Sequence, residues 1–309
     1  MTLKIGCIGL GIMGRPMAGH WLAAGHDVTV WARRPETVTT LLGQGAHWAD
    51  SPADLARQVD VVFTNVSDTP DVEQVLLGPD GVAEGARPGM IVVDHSTISP
   101  TVTRRLADTL AERGIHLLDA PVSGGERGAV DGTLTIMVGG ETAILERVRP
   151  LLEVVGRTIT HVGGSGAGQF TKACNQLIVA QTMVAVSEAI SLAEAAGVDP
   201  AAMREALMGG LAYSRVLEVH GERMIRREYP PGFKARLHNK DMAIVLRAAA
   251  DLGLPLPGTA LSAQWISAAV GLGHGEEDSA VVAEVLRRLA PPGPMNGGNR
   301  SPLATAEQE

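Results

Sequence analysis

Cysteine is scarce in this chain of 309 residues, which contains only Cys7 and Cys174. A distant pair of cysteines in a chain of this size cannot supply the disulfide framework on which small secreted proteins depend. Each cysteine lies in an apolar segment, where this residue usually behaves as a small hydrophobic side chain. We therefore predict two buried free thiols and a reducing compartment.

Metal-ligand spacings are missing as well. The nine histidines form no H-x-x-x-H pair and no cluster with cysteine. The sequence therefore predicts no metal site, and it argues against the chemistry of zinc-dependent alcohol dehydrogenases. We expect His95, His161 and His238 to be hydrogen-bonded polar residues at the ends of strands or loops. An alternative role for His238, two residues before Lys240, is contact with substrate.

Concentrated positive charge and a long N-terminal hydrophobic run are absent too. The net charge is −8, the pI is near 5.6, and no stretch gathers enough lysine and arginine to bind a phosphate backbone. The N-terminal stretch MTLKIGCIGLGIMG is broken by glycines, which is not typical of a signal peptide or a membrane span. We predict a soluble, cytoplasmic protein that binds neither nucleic acid nor membrane.

Alternating strand and helix signals occupy the first half of the chain, and the 45% of hydrophobic residues is enough for two domains. Seven short runs rich in β-branched residues are separated by helix-like segments, a pattern typical of βαβ units around a parallel sheet. These runs are KIGCIG, DVTVWA, VDVVFTNV, MIVVDHST, HLLDAP, LTIMVGG and TITHVG. Residues 1–163 are therefore predicted to form an α/β Rossmann-type domain with a doubly wound, mostly parallel sheet.

Strand signals stop after about residue 163, and residues 164–290 predict an all-α C-terminal domain. Residues 169–196 predict one uninterrupted helix, which ends at Gly197 and is followed by a second helix that starts at Asp199-Pro200. One small domain cannot cover a helix about 42 Å long, so we expect part of it to pack against a second subunit. The tail, 291–309, is rich in Pro, Gly and polar residues, and we predict that it is disordered.

The stretch CIGLGIMG has the G-x-G-x-x-G spacing between a predicted strand and a predicted helix. The first glycine permits a tight turn, the second lets the backbone approach a pyrophosphate, and the third lets the helix pack on the strand. A tight turn without a ligand would also explain the glycines, but the flanking strand and helix favour a dinucleotide. The predicted cofactor-binding residues of this loop are Gly9, Leu10, Gly11, Ile12, Met13 and Gly14.

The second predicted strand ends at Ala32 and is followed by Arg33 and Arg34, not by the acidic residue that binds the adenine ribose hydroxyls of NAD. Two guanidinium groups would bind a 2′-phosphate, and no carboxylate in this stretch would repel that phosphate. This pattern favours NADP as cofactor. NAD stays an alternative, because one or both arginines could instead point into solvent.

The stretch GQFTKACNQ places Lys172 and Asn175 three residues apart in a predicted helix that has no acidic residue nearby. Residues at i and i+3 share a helix face, so both can reach one ligand. The preceding GSGAG would leave the positive N-terminal end of the helix open to an anion. We therefore place a small carboxylate-bearing substrate at the first turns of this helix. The alternative is that Lys172 only extends into solvent.

Two further stretches belong to the same predicted site. DAPVSGG ends in Ser123, Gly124 and Gly125, whose hydroxyl and unhindered N–H groups suit a carboxylate. HNKD supplies a second lysine, Lys240.

Together these motifs resemble the β-hydroxyacid dehydrogenase family, also called the 3-hydroxyisobutyrate dehydrogenase family, and within it the tartronate semialdehyde reductase branch. The resemblance covers about residues 3–290 and rests on many matches in the same order. They are GLGIMGRPMA, DAPVSGG, DGTLTIMVGG, GAGQFTKACNQ, SEAISLAEAAGVDP, GGLAYSRVL and PGFKARLHNKD. The resemblance implies a Rossmann domain followed by a helical domain, a homodimer or homotetramer joined through the helical parts, and NAD(P)-dependent interconversion of 3-oxo and 3-hydroxy acids.

The resemblance also implies roles for individual residues. Lys172 would be the catalytic acid/base, and Asn175 would orient the substrate or the lysine. Ser123 and Gly124 would bind the substrate carboxylate.

Four further residues match cofactor contacts of the family: Lys240, Thr97, and Asn65 and Val66 of one turn. One departure is His20, where the family usually has asparagine. We interpret His20 as a surface or capping variation.

The predicted chemistry follows from the lysine. An ammonium group can hydrogen-bond the carbonyl oxygen of an aldehyde, stabilise its negative charge as hydride reaches the carbon, and then deliver a proton. We predict reduction of a small 3-oxo acid or semialdehyde, with tartronate semialdehyde to D-glycerate as the first choice. The alternatives are 3-hydroxyisobutyrate or another β-hydroxy acid, an imine reductase, and a non-catalytic nucleotide-binding module; the last two usually lack the lysine.

Overall fold

The computed structural model describes residues 3–289. The predicted disordered tail, 291–309, lies outside the described residues.

Nine strands in the described part of the chain form one sheet, in the order β3-β2-β1-β4-β5-β6-β8-β7, with β9 paired to β8. The strands are Lys4–Ile8 (β1), Asp27–Trp31 (β2), His47–Trp48 (β3), Val61–Thr64 (β4), Ile91–Asp94 (β5), His116–Asp119 (β6), Val122–Ser123 (β7), Leu134–Gly139 (β8) and Gly156–Gly163 (β9). Strands β1 to β6 pair in parallel, and β8 runs antiparallel to β6 and β7. All seven predicted strands are confirmed. The two-residue strands β3 and β7 were missed because they are too short to show alternation.

Helices cover both faces of the sheet. They are Gly14–Ala23 (α1), Thr39–Gly43 (α2), Pro52–Gln58 (α3), Thr69–Leu77 (α4), Val82–Gly85 (α5), Pro100–Ala111 (α6), Gly125–Val130 (α7) and Thr142–Val155 (α8). One hydrophobic core joins the sheet to α1 and α8, and a second joins its other face to α3, α4 and α6. This arrangement confirms the doubly wound Rossmann-type fold.

Trp21 of α1 shows how the first core is fixed. Its ring stacks on Phe63 with centroids 4.2 Å apart, and its indole Nε1 donates to the Leu151 carbonyl at 2.8 Å. Burial of a side chain of this size contributes about 1.5–3 kcal/mol, and the hydrogen bond avoids the cost of an unpaired buried donor. The helix that follows the glycine loop is therefore held firmly on the sheet.

Six helices form the second part of the described chain: Ala167–Ala196 (α9), Pro200–Met208 (α10), Arg215–Arg226 (α11), Ala235–Asp251 (α12), Pro257–Ala269 (α13) and Val282–Leu289 (α14). The long helix α9 is central, because α11, α12, α13 and α14 all pack against it. Its end at Gly197, in the left-handed region, is as predicted, and the Asp199 side chain accepts from the Ala201 N–H to begin α10.

Helix α9 has 30 residues and begins at Ala167, two residues before the predicted start. It is long and apolar enough to span a membrane by length and composition, as the core helix of a soluble protein also can be. Four helices of the same part of the chain pack against it, and polar side chains are buried in its first turns. The fold is of a soluble type, in which α9 is covered on one side and exposed on another.

Candidate active site

The glycine loop after β1 has three glycines with three different surroundings. Gly9 has φ +89°, and a Cβ there would collide with the Asn65 carbonyl; a Cβ at Gly14 would collide with the Gly9 carbonyl. A Cβ at Gly11 would meet no protein atom within 4 Å. Two glycines therefore permit close packing, while Gly11 leaves open space of the kind that a pyrophosphate requires. The loop fits a dinucleotide.

The other residues of this loop differ in exposure. Leu10 is buried in the core, Met13 is half-buried, and Ile12 is exposed. The loop thus presents its backbone and Ile12 outward.

The loops that follow β4 and β5 are tied together beside the glycine loop. The Ser96 hydroxyl accepts from the Val66 N–H at 2.9 Å, and Asp94 accepts from the Ser96 N–H at 3.1 Å and from the Thr64 hydroxyl at 2.7 Å. Burial raises the pKa of Asp94 to about 6, although these hydrogen bonds oppose the shift. The predicted Asn65-Val66 turn and Thr97 are thereby held next to each other.

The two arginines after β2 have different partners. Strand β2 ends at Trp31, one residue earlier than predicted, and an Arg33 guanidinium nitrogen lies 3.0 Å from Asp71 of α4. Arg34 is exposed. The expectation that no carboxylate lies here is therefore wrong: Asp71 comes from a helix 38 positions away. Because the Arg33 side chain is 71% exposed, this ion pair is worth at most about 1 kcal/mol.

Lys172 lies in the second turn of α9 and is buried. Its Nζ donates to the Val122 carbonyl at 2.9 Å, and no carboxylate among residues 3–289 accepts a hydrogen bond from it. Burial lowers the pKa of Lys172 to about 8; the Lys240 ammonium acts in the same direction, and the Asp241 carboxylate opposes it. A lysine with this pKa can both donate and accept a proton near neutral pH.

Asn175 is not hydrogen-bonded to Lys172. Its Nδ2 donates to Gln176 Oε1 at 2.8 Å, and Gln176 Nε2 donates to the Asp241 carboxylate at 2.6 Å. Asn175 therefore belongs to a short polar chain that links α9 to α12.

Ser123 and the two glycines that follow it lie beside the lysine. Ser123 is paired with Thr135 of β8, and Gly124 and Gly125 have φ angles of +131° and +62°, which other residues rarely adopt. Since the Lys172 ammonium contacts the carbonyl of the preceding Val122, the structure brings the predicted carboxylate-binding stretch and the lysine together.

Lys240 of α12 reaches from the helical part to the sheet. Its Nζ donates to the Ser67 carbonyl at 2.9 Å and to the Thr97 carbonyl at 2.6 Å, and it lies 3.0 Å from the Asp241 carboxylate. The second predicted lysine thus contacts both the loop that follows β4 and the loop that follows β5.

The expectation that the start of α9 is open to an anion is wrong. Asp119, at the end of β6, accepts from the Gly166 N–H at 2.8 Å and from the Gln169 N–H at 2.9 Å. No local sequence pattern indicates this contact, because Asp119 lies 47 residues before Gly166.

Gln169 is a second site residue that sequence analysis missed. Its buried side chain accepts from the Ile98 N–H at 3.1 Å and donates to the Ser96 carbonyl at 2.7 Å. It joins the first turn of α9 to the loop that carries Thr97.

Other expectations about single residues had mixed outcomes. Cys7 is buried as predicted, but Cys174 is exposed, because it lies on the side of α9 opposite the buried residues. His20 does cap a helix: its Nε2 lies 3.1 and 3.0 Å from the carbonyl oxygens of Ala129 and Val130 at the end of α7.

The histidines at loop ends behave in two ways. His95 and His161 contact the carbonyl oxygens of Ala120 and Gly140, at 2.6 and 2.8 Å, as expected of hydrogen-bonded residues. His238 is fully buried, but within the described residues neither ring nitrogen has a well-aligned hydrogen-bond partner, contrary to expectation. Burial lowers the pKa of His238 to about 4, so its ring is neutral. No group of three metal-ligating side chains occurs in the part of the chain that the structure describes.

Comparison with known proteins identifies the family of this chain. Residues 4–163 match the family model for the NAD-binding domain of 6-phosphogluconate dehydrogenase, and residues 166–286 match the model for the NAD-binding region of NADP-dependent 3-hydroxyisobutyrate dehydrogenase. The chain is 47% identical over 288 residues to 2-hydroxy-3-oxopropionate reductase of Escherichia coli strain K12, covering 93% of this chain and 98% of the relative.

Solved structures give the same result. A 3-hydroxyisobutyrate dehydrogenase of Mycobacterium tuberculosis, solved with L-serine, is 31% identical with a TM-score of 0.86, covering 93% of this chain and 100% of that one. A protein named Psf3, solved with NADP+ and 2-OPP, is 29% identical with a TM-score of 0.84, covering 91% and 99%. The chain therefore belongs to the β-hydroxyacid dehydrogenase family of NAD(P)-dependent oxidoreductases, which includes 3-hydroxyisobutyrate dehydrogenase.

Proposed function

We propose that this enzyme reduces tartronate semialdehyde to D-glycerate, with NADPH as the preferred cofactor and Lys172 as the general acid. The observation that carries the proposal is the buried Lys172 ammonium, which contacts the carbonyl of the residue before Ser123. The 47% identity to a 2-hydroxy-3-oxopropionate reductase favours this substrate among the small 3-oxo acids of the family.

Lys172 acts on the substrate oxygen. When bound, the nicotinamide supplies the hydride. The ammonium leaves the Val122 carbonyl, hydrogen-bonds the aldehyde oxygen, stabilises its negative charge and transfers a proton to it. Because burial has already lowered its pKa to about 8, the lysine gives up this proton more readily than an exposed lysine would.

Ser123 and Gly124 bind the substrate carboxylate in this proposal. The Ser123 hydroxyl is half-buried, and the unusual φ of Gly124 turns the backbone immediately after it. Asn175 can release Gln176 and donate its amide N–H to the substrate. These groups hold the acid end while Lys172 reaches the aldehyde end.

The preference for NADPH is tested at Arg33 and Arg34. A charge-assisted contact to the 2′-phosphate contributes about 1.5–3 kcal/mol, so replacing both by alanine should raise KM for NADPH about tenfold or more. KM for NADH should change little. The matched control is Asp71→Asn, which releases Arg33 from its ion pair and should leave or lower KM for NADPH. A wild type that prefers NADH would contradict the preference.

The substrate is tested by steady-state kinetics with tartronate semialdehyde, methylmalonate semialdehyde, succinate semialdehyde and glyoxylate, each with NADPH and NADH. We expect the highest kcat/KM for tartronate semialdehyde. The second candidate is 3-hydroxyisobutyrate dehydrogenation, which the likeness to the Mycobacterium tuberculosis enzyme favours. A higher kcat/KM for methylmalonate semialdehyde would select it. If none of the four compounds is reduced, the proposed function is wrong, and an imine reductase or a non-catalytic nucleotide-binding module becomes the better interpretation.

Two further proposals concern the state of the enzyme. We infer that it works in the cytoplasm, because the exposed Cys174 is a free thiol and suits a reducing compartment. We also infer that it is a homodimer or homotetramer joined through exposed apolar residues of α9.

A further inference from the structure

Asp119 holds the start of α9 from outside the helix. Its carboxylate is fully buried at the end of β6, and its two oxygens accept from the N–H groups of Gly166 and Gln169 at 2.8 and 2.9 Å. We propose that Asp119 is a positioning residue that fixes the first turns of α9 and thereby the place of the Lys172 ammonium. The inference rests on the catalytic role proposed for Lys172.

The contact between Asp119 and the helix leaves no spare room. A Cβ added at Gly168 would lie 2.5 Å from the main-chain oxygens of both Asp119 and Met137. A Cβ added at Gly139 would lie 2.5 Å from the Asp119 carboxylate. The start of α9 is therefore pressed directly onto the ends of β6 and β8, and the carboxylate is the polar group that fills this contact.

One short segment controls both the helix and the lysine. Asp119 binds the helix backbone, while Val122, three residues later, accepts the hydrogen bond of Lys172 Nζ. Gly166 and Lys172 are six residues apart, about 9 Å along the axis, so a shift of the helix start reaches the ammonium. In the proposed reaction the ammonium leaves Val122. The helix backbone must then be held by other contacts. Asp119 provides two of them, beside the two hydrogen bonds of the Gln169 side chain.

The charge of Asp119 matters as well as its shape. Burial raises its pKa to about 6, and the hydrogen bonds from Gly166 and Gln169 oppose the shift, so the group is mostly ionised at pH 7. A carboxylate has two accepting oxygens and carries the charge that the N-terminal end of a helix favours. Asparagine has the same shape but would turn an NH2 group toward one of the two N–H donors. Asp119→Asn therefore breaks the contact with little change in volume.

The first experiment measures kcat and KM of Asp119→Asn. A misplacement of about 1 Å can cost about a hundredfold in rate, so we expect kcat to fall by about this factor. KM for NADPH should stay within about twofold, because the hydrogen bonds of the Asp119 carboxylate among the described residues go to Gly166 and Gln169, not to the glycine loop. The matched control is Asp94→Asn, a buried carboxylate that is the register neighbour of Asp119 on β5. Asp94 binds Ser96 and Thr64 instead of α9, so this variant should raise KM for NADPH more than it lowers kcat.

The deciding experiment is a double-mutant cycle with Lys172→Ala. If Asp119 acts through Lys172, adding Asp119→Asn to Lys172→Ala should lower the residual turnover by less than about twofold. A further hundredfold fall in the double variant would overturn the positioning role while leaving the role of Lys172 intact. Full turnover of Lys172→Ala alone would instead overturn the proposed function, and the positioning role with it.

A second variant covers the case in which Asp119→Asn does not fold. Gly168→Ala leaves the carboxylate in place but forces the helix start away from β6 and β8. This variant should lower kcat with little change in KM for NADPH. When it is combined with Lys172→Ala, the residual turnover should again fall by less than about twofold. An additive loss would overturn the proposal.

Discussion

The glycine loop and the first turns of α9 both lie at the carboxyl edge of the sheet. They differ in whether side chains or backbone atoms line the space there. In the loop, the three glycines have no side chain. Gly9 and Gly14 allow close contact between main-chain segments, and Gly11 leaves open space. In α9, polar side chains occupy buried positions: Gln169 hydrogen-bonds the loop after β5, and Lys172 hydrogen-bonds Val122 of β7.

The difference separates two kinds of function. Space bounded by backbone can bind a ligand but has no group to give or take a proton. Buried side chains with altered pKa values can carry out chemistry, at a cost in folding stability. Changes in the loop should therefore alter cofactor affinity, and changes in α9 should alter turnover.

The largest expected effect is that of Lys172→Ala. Loss of the general acid should lower kcat by about 10² to 10⁴, with KM for NADPH within a few-fold of wild type. Removal of a buried ammonium should leave the fold intact and raise Tm slightly. Stopped assays at high enzyme concentration measure kcat and KM, and thermal melting measures Tm.

Three further measurements test whether this effect is specific to the lysine. Lys172→Arg should rescue poorly, because guanidinium stays protonated, whereas small amines added to Lys172→Ala should restore part of the rate. Cys174→Ser, two residues away on the exposed side of α9, should keep wild-type turnover. A folded, NADPH-saturated Lys172→Ala enzyme within about threefold of wild type would remove Lys172 from the mechanism.

The next effect is that of Gly11→Ala in the glycine loop. The added Cβ meets no protein atom within 4 Å, so the variant should fold normally, but it enters the space left for the pyrophosphate. KM for NADPH should rise about tenfold or more, with kcat at saturation changing much less. Gly19→Ala is the matched control, because its Cβ is equally unobstructed; in the helix it should raise stability by about 0.5–1 kcal/mol and leave KM unchanged. Equal KM values for NADPH in Gly11→Ala and Gly19→Ala would contradict the assignment of the space beside Gly11 to the pyrophosphate.

The pH dependence of kcat should report the environment of α9. Reduction needs the protonated lysine, and burial lowers the pKa of Lys172 to about 8. The rate of reduction should therefore be level below pH 8 and fall about tenfold per pH unit above it. The rate of alcohol oxidation, which needs the neutral amine, should instead rise about tenfold per pH unit up to pH 8 and be level above it. In Lys172→Ala this limb should disappear. A fall centred near pH 10.5 would indicate an exposed lysine.

The smallest effect on turnover is expected for substitutions in the C-terminal half of α9. Ile178 and Leu192 are 60% and 72% exposed, and they lie fourteen residues apart with the exposed Ala185 midway, so the three share one side of the helix. Leu192→Glu should dissociate the proposed oligomer in light scattering while kcat changes by less than about twofold. Leu42→Glu, on the sheet part, is the control and should not change the mass. A monomeric wild type would contradict the oligomer.

Local patterns in the sequence identified much of this molecule. Glycine spacing predicted the cofactor loop, and Lys172 and Asn175 were predicted as site residues because charge and amide groups interrupt an apolar helix. These signals lie within a few residues of one another. The doubly wound, mostly parallel sheet was predicted from the alternation of short apolar runs and helices, whereas the strand order came from the structure.

Contacts between distant segments could not be found in this way. Asp119 and Gly166, Arg33 and Asp71, and Gln169 and Ser96 are brought together only by the crossing of strands and helices. Each partner on its own looks like an ordinary loop or surface residue. The exposure of Cys174 was missed for a related reason: an apolar neighbourhood in the sequence does not tell which side of a long helix is covered.

The hydrogen bonds of Lys240 have a consequence for how sequences in this family can change. Lys240 binds the main-chain oxygens of Ser67 and Thr97, not their side chains. Substitutions at positions 67 and 97 therefore leave the accepting atoms in place, and this contact tolerates sequence drift there. Insertions or deletions in either loop would move the oxygens themselves. Selection through this contact should act on loop length, and natural variants should conserve the spacing of these loops more strictly than their residues.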